Sequence, residues 1–288
     1  MNDYSGIRVF KQTLADPKHN FWYAGAARAP HSMSDPSSNA IEFVDVAFQV
    51  SAGRFLLSGV NFSVRRGETL MLLGRSGSGK TTCLKMINRL FTPSAGEVRV
   101  DGISAAKWDV IKLRRRIGYA IQDVGLFPHY SVRENVALVP KLERWEPGRI
   151  DARVEEVLTL VGLRAKEYGG RYPHQLSGGQ RQRVGLARAL AAEPPFLLMD
   201  EPFGALDPIT RAEIQMEFKK LQQKLGQTTI VFVTHDVSEA LLLGTRIGLM
   251  EAGELRGIYS SNEFLQAPND SVKAYVDVFR AGQQMFQR

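Results

Sequence analysis

From Ile41 onward, short apolar runs alternate with longer stretches of helical spacing. IEFVDVAF (41–48) and VNFSV (60–64) read as strands, and ETLMLLG (68–74) as a buried strand ending in glycine. TTCLKMINRL (81–90) carries helical spacing, closed by the turn TPSAG (92–96), and EVRV (97–100) and IGYAI (117–121) return as strands. Between Asp123 and about Ala192 the pattern is mainly helical: Ser131 and Glu134 make a capping box, and RVEEVLTLVGL (153–163) repeats at helical intervals. PFLLMD (195–200) and TTIVFVT (228–234) are again apolar strands, separated by the helix IQMEFKKLQQKLG (214–226). RIGLMEAGELRGI (246–258) reads as a hairpin turning at Ala252-Gly253, and two short helices are expected after Ser261. The order predicts an α/β domain with a largely parallel core sheet and a helical insertion in its middle. The expected boundaries are a loosely ordered extension over 1–39, a main domain over 40–260 with the helical subdomain at about 123–192, and a helical tail over 261–288. Met33 is an alternative start, since the periodic pattern begins only at Ile41.

Composition changes this picture little. Apolar residues at 44% and charged residues at 23% suit a globular chain with a real core. No apolar run approaches the roughly 20 residues of a membrane-spanning helix, and FWYAGAA (21–27) is too short for a signal peptide. The single cysteine, Cys83, has no partner for an internal disulfide, which fits a reducing compartment. The net charge of +7 admits nucleic acid or an acidic membrane face as partner, but the charges are spread out and the one dense run, Arg114-Arg115-Arg116, is expected to be a solvated helix face.

The chemistry lies at strand ends. Gly74-Arg75-Ser76-Gly77-Ser78-Gly79-Lys80-Thr81 fits G-x-x-x-x-G-K-[ST], after a strand and before a helix that continues through Thr82. Such a loop turns its amides toward phosphate, backed by the helix dipole; Lys80 would reach the β- and γ-phosphates and the Thr81 hydroxyl would ligate Mg²⁺. Asp200 emerges at the end of FLLMD, where it can hold Mg²⁺, and Glu201 beside it can accept a proton from water, although acidic pairs are also common in loops. Gln122 and His235 each sit just past an apolar strand, so the same sheet edge would receive them. LSGGQ (176–180) opens a second helix with a second set of amides able to hold an anion.

Taken in order, GRSGSGKT, Gln122, LSGGQ, FLLMDE, GALD (204–207) and His235 resemble the motifs of an ABC transporter ATPase, from about Ile41 to Ile258. The resemblance implies a P-loop (RecA-like) core with an N-terminal antiparallel β portion and an inserted helical subdomain, ATP and Mg²⁺ as ligands, and the following roles. Gln122 is similar to the glutamine that touches Mg²⁺ and senses the membrane partner, Asp207 to the aspartate of the D-loop, Glu201 to the catalytic base and His235 to the switch histidine at the γ-phosphate. Ser177, Gly178, Gly179 and Gln180 are similar to the signature turn that binds ATP held by a second subunit. Phe48 is the candidate to stack on adenine, with Phe55 as the other choice.

A finer resemblance is carried by KMINRLFTPSAGEVRVDG, LRRRIGYAIQDVGLFPHYSVRENVALVPKL, RYPHQLSGGQRQRVGLARALAAEPPFLLMDEPFGALDPITR and VFVTHDVSEALLLG, which look like the ATPase subunits of glycine betaine, choline and related osmoprotectant importers. It implies a peripheral protein on the cytoplasmic membrane face that pairs with a second copy, permease subunits and an extracytoplasmic solute-binding protein, and has no nucleic-acid role. The permease would meet the segment from Gln122 to Asn135. Asp123 departs from a usual second glutamine and GIYSSNEFLQAP (257–268) from a usual glycine-containing turn, and no room is expected after Arg288 for paired regulatory CBS domains. The alternatives are an importer ATPase for another solute, such as an amino acid, and a soluble ABC ATPase of DNA repair or ribosomes. The latter usually carry two cassettes, a coiled-coil insertion or zinc-binding cysteines, none of which is visible here.

Overall fold

The computed structural model describes residues 39–51, 53–121, 124–204 and 206–285. The extension expected over 1–39 lies outside them, apart from Asn39. The first half holds β1 (Asn39–Ser51), β2 (Arg54–Arg65), β3 (Thr69–Leu73), α1 (Lys80–Ile87), β4 (Ala95–Val100), β5 (Ile103–Ser104), α2 (Val110–Arg115) and β6 (Ile117–Ala120). A run of helices follows: α3 (Val132–Leu142), α4 (Pro147–Leu160), α5 (Ala165–Tyr168) and α6 (Gly178–Leu190). Then come β7 (Phe196–Asp200), α7 (Pro208–Leu225), β8 (Thr229–Thr234), α8 (Val237–Leu243), β9 (Arg246–Glu251), β10 (Glu254–Ser260), α9 (Ser261–Gln266) and α10 (Asp270–Met285).

Two sheets result. An antiparallel one runs β2-β1-β4-β5, and a six-stranded one runs β10-β9-β3-β8-β7-β6, parallel throughout except for β10. The central strands β3, β7 and β8 are buried along their whole length, as strands covered on both faces must be. Their period of two divides the interior. Leu70 and Leu72 of β3 and Phe196 and Leu198 of β7 face a core shared with α1 and the antiparallel sheet. Met71, Leu73, Leu197 and Met199 face a second core shared with the helices of the insertion. In the antiparallel sheet, Phe43 and Phe62 are cross-strand partners with rings stacked 4.3 Å apart.

The insertion starts with the expected capping box, Ser131 with Glu134. Asn135, fully buried on α3, ties down the segment before it: its Oδ1 accepts from the Phe127 amide at 2.8 Å, and its Nδ2 donates to the carbonyls of Phe127, Tyr130 and Ser131. Arg188 of α6 donates to the carbonyls of Val124 and Gly125, both at 2.7 Å, joining the same segment to the insertion.

Three expectations are corrected. Helix α1 stops at Ile87 because Asn88 caps it and Arg89 takes a left-handed φ of 54°. The tail holds one short helix, α9, and one of sixteen residues, α10. The arginine run is not a freely solvated face. Arg114 donates to the carbonyls of Asn88 and Arg89, Arg115 pairs with Glu143 at 3.1 Å, and Arg116 pairs with Asp101 at 2.5 Å beside Trp108.

Candidate active site

Strands β3, β8, β7 and β6 are parallel neighbours in register, Leu73 opposite Thr234, Asp200 opposite Val233 and Ala120 opposite Met199. Their C-terminal ends therefore open on one edge, the place where open α/β sheets present ligand-binding groups. The 74–79 loop leaves β3 there, Asp200 ends β7, and His235 follows β8. Gln122, two residues beyond β6, lies outside the described residues, as does Asp123.

The loop is wound tightly over its neighbours. A Cβ on Gly74 would stand 2.3 Å from the Met250 carbonyl oxygen, and one on Gly79 2.5 Å from Leu57 Cδ2 on a φ of 101°. Only glycine fits either place. Arg75 and Ser76 are exposed, whereas Ser78 and Thr82 are buried. Lys80 is 4% exposed, and its Nζ donates to the carbonyls of Gly74 and Arg75, both at 2.8 Å. Burial holds its ammonium below the ordinary lysine pKa, opposed by the negative charges of Glu201 and Asp200.

Next to it, the Thr81 hydroxyl donates to Asp200 Oδ1 at 2.8 Å. Burial raises the Asp200 pKa, the Thr81 bond works against that, and the charge of Glu201 adds to the rise. Glu201 sits on a left-handed φ of 43°, an uncommon conformation for a residue with a side chain, and its amide donates to the Val233 carbonyl at 3.0 Å. That turn places Glu201 Oε2 3.2 Å from His235 Nδ1. A buried cation, a hydroxyl–carboxylate pair and a carboxylate–imidazole pair thus share one edge, supplied by the first residues of α1, the last residue of β7 and the turns after β7 and β8.

The family model described as ABC transporter matches residues 57–204, just over half of the chain. The chain belongs to the ABC transporter family. It is 52% identical to the glycine betaine uptake system ATP-binding protein YehX of Escherichia coli, over 75% of this chain and 69% of that protein. It is 48% identical to the choline transport ATP-binding protein OpuBA of Bacillus subtilis, over 84% of this chain and 62% of that one. The chain spans about three fifths of the length of several such curated relatives. Among solved structures, the dimeric ATP-binding cassette MJ0796 in a post-hydrolysis state with ADP and Pi superposes with a TM-score of 0.69 at 34% identity, covering 77% of this chain and 98% of that one.

The other motifs of this ABC chain make contacts of their own. Ser177 caps α6: its Oγ accepts from the Gln180 amide at 3.2 Å, and Gln180 Oε1 accepts from the Ser177 amide at 2.9 Å. Gly178 is exposed, and a Cβ on Gly179 would press on Thr210 Cγ2 at 3.0 Å. Among the described residues, no hydrogen bond joins 177–180 to 74–82. Asp207 caps α7, accepting from the Thr210 amide at 3.0 Å, and that bond lowers its pKa. Phe48 is stacked on Phe91, ring centroids 5.2 Å apart, so one face of its ring is already covered, while Phe55 is exposed.

One neighbour of the site goes unnoticed in a linear reading. The Tyr119 hydroxyl donates to Asp200 Oδ2 at 3.5 Å, and burial, followed by the charge of Asp200, raises its own pKa. The signal exists once β6 is paired with β7. Tyr119 lies opposite Leu198, and Leu198 is two residues before Asp200, hence on the same face.

Proposed function

We propose that this chain binds and hydrolyses ATP to drive an importer of quaternary amines of the glycine betaine and choline kind. The observation that carries the proposal is the single sheet edge shared by Lys80, the Thr81–Asp200 pair and the Glu201–His235 pair. Amides of residues 74–81 would cradle the phosphates, with Lys80 turning from its own loop carbonyls to the β- and γ-oxygens. Thr81 and Asp200 are oxygen donors of the kind Mg²⁺ prefers, and with Gln122 they would hold it. When bound, Mg²⁺ neutralises charge building on the phosphate oxygens. Glu201 would take the proton of the attacking water, and His235 would orient that carboxylate and reach the γ-phosphate.

The partners follow from the same proposal. Ser177, Gly178, Gly179 and Gln180 would close on ATP held by a second copy, with Asp207 at the contact between copies, and the dimeric cassette to which the fold is similar supports this pairing. No helix among the described residues is long and apolar enough to cross a membrane, so permease subunits would supply the pathway and a solute-binding protein would deliver the amine. The solute class is supported by the relatives named for glycine betaine and choline. Two measurements test the proposal. Lys80→Ala in the purified chain should lose MgATP binding and turnover together, and wild-type values in that variant would reject the phosphate-loop assignment. Cells lacking the chain should lose uptake of radiolabelled betaine or choline, and intact uptake of both would reject the solute class.

A further inference from the structure

Beside the Glu201–His235 pair lies a small cleft in which Arg211, Thr234, Asp236 and Glu239 join Phe203, Gly204 and the pair itself. Glu239, in the first turn of α8, is 4% exposed. Gln215 Nε2 donates to its Oε1 at 2.9 Å and the Thr234 hydroxyl bonds to the same carboxyl, which burial nevertheless pushes up to about 6. Thr234 is the residue before His235, and its Oγ1 also accepts from the Asp236 amide at 3.0 Å. The Glu239 carboxyl thereby holds Thr234, whose hydroxyl in turn spans the turn on which His235 sits.

The other half of this arrangement is on α7. Arg211 and Gln215 are four residues apart, so they share a helix face. While Gln215 holds Glu239, Arg211 donates to the carbonyls of Leu206 at 3.1 Å and Gly204 at 3.4 Å, in the turn that follows Glu201. The Arg211 Nε is buried without a partner among the described residues, and its charge lowers the Glu239 pKa. One face of α7 thus reaches the turn after Glu201 with one side chain and the turn bearing His235 with the next.

We propose that Glu239, Gln215 and Arg211 are positioning residues that brace those two turns against each other and set the 3.2 Å approach of Glu201 to His235. The inference rests on the assignment of Glu201 and His235 to ATP hydrolysis. None of the three touches the 74–82 loop, so the brace governs turnover and leaves nucleotide capture alone.

Steady-state ATP hydrolysis by the full-length chain tests this, with Glu239→Ala, Glu239→Gln and Gln215→Met each made alone and with Glu201→Gln. Misplacement of reacting groups by about 1 Å can cost 10²-fold. Glu239→Ala and Gln215→Met should therefore lower kcat by about 10- to 100-fold with the KM for ATP within about twofold. Glu239→Gln, which keeps the shape and a hydrogen-bonding oxygen, should restore most of kcat. In the Glu201→Gln background, where the pair is already disabled, neither Glu239→Ala nor Gln215→Met should reduce the residual single-turnover rate further. Gln215 is partly exposed, so its variant reports even if Glu239→Ala does not fold. Wild-type kcat in Gln215→Met, a parallel rise of KM, or a full multiplicative loss on top of Glu201→Gln would overturn the brace. A wild-type chain without ATPase activity, or an active Glu201→Gln, would instead overturn the parent assignment.

Discussion

Glu239 shows how one buried carboxyl ties stability to pH. Its pKa is raised to about 6 in the folded chain from an unfolded value near 4.5, so the folded state holds a proton that the unfolded state releases between those values. The stabilisation this group contributes is complete below about pH 4.5 and is lost as pH rises through about 6. Glu239→Gln removes that loss, so its stability relative to wild type should grow by up to about 2 kcal/mol between pH 4.5 and 7.5. Denaturant titrations of both proteins at those pH values give the difference, and a pH-independent difference would place the carboxyl in a wetter setting. Cys83 is the contrast at this scale: fully buried behind the loop, its thiol is pushed up to about 12, so it should resist alkylation in the native chain. As the proposed general base, Glu201 is expected to carry the rate. General-base catalysis is typically worth about 10² to 10⁴-fold, and Glu201→Gln should slow hydrolysis by that order while MgATP binding persists, since Lys80, Thr81 and Asp200 are unchanged.

Among elements, the segment leading into α3 is the one expected to meet the permease. Asn135 fixes its backbone, while the rings of Phe127, His129 and Tyr130 cluster and Phe127 stays exposed. Replacing Phe127 or Tyr130 with alanine should weaken permease co-purification and transport while sparing ATP binding, because the backbone support comes from Asn135. Normal assembly and transport in both variants would remove this surface from the docking proposal. The long strands and the Ser131–Glu134 capping box were legible in the sequence because apolar runs and a Ser-x-x-Glu signal are local, whereas the two-residue β5 is too short to leave a pattern. The glycine loop, FLLMDE and the residues after β8 were legible for the same reason. Tyr119, Asn135, Arg211 and Glu239 were not. The partners of Tyr119 and Glu239 lie on other elements, brought together only by the β6–β7 pairing and the packing of α7 against α8, while Asn135 and Arg211 bind backbone groups of the segments before them, which no residue type marks. Arg114–Arg116 misled because adjacent charges look solvated until the carbonyls of Asn88 and Arg89 and the carboxylates of Asp101 and Glu143 are seen beside them.

For the whole molecule, the prediction concerns two copies. With hydrolysis blocked by Glu201→Gln, the γ-phosphate should go on bridging one chain's Lys80 loop to the other's Ser177-Gly178-Gly179, and the protein should accumulate as an ATP-dependent dimer. Adding Ser177→Arg should dissolve it by crowding the exposed helix start. Light scattering after size exclusion, with and without MgATP, reads both outcomes. A monomer at saturating MgATP would count against a two-copy site that is stable without the permease.

Both groups assigned to the proposed two-copy site already have partners in their own chain. The Lys80 ammonium rests on two loop carbonyls, and the Ser177 hydroxyl rests on the Gln180 amide. On that proposal, closure would be an exchange of partners and not the capture of idle groups. An exchanged hydrogen bond is worth only about 0.5–1.5 kcal/mol net, so each grip made in closing has a ready substitute when product leaves. A machine that must let go on every cycle gains from having somewhere to put its hands.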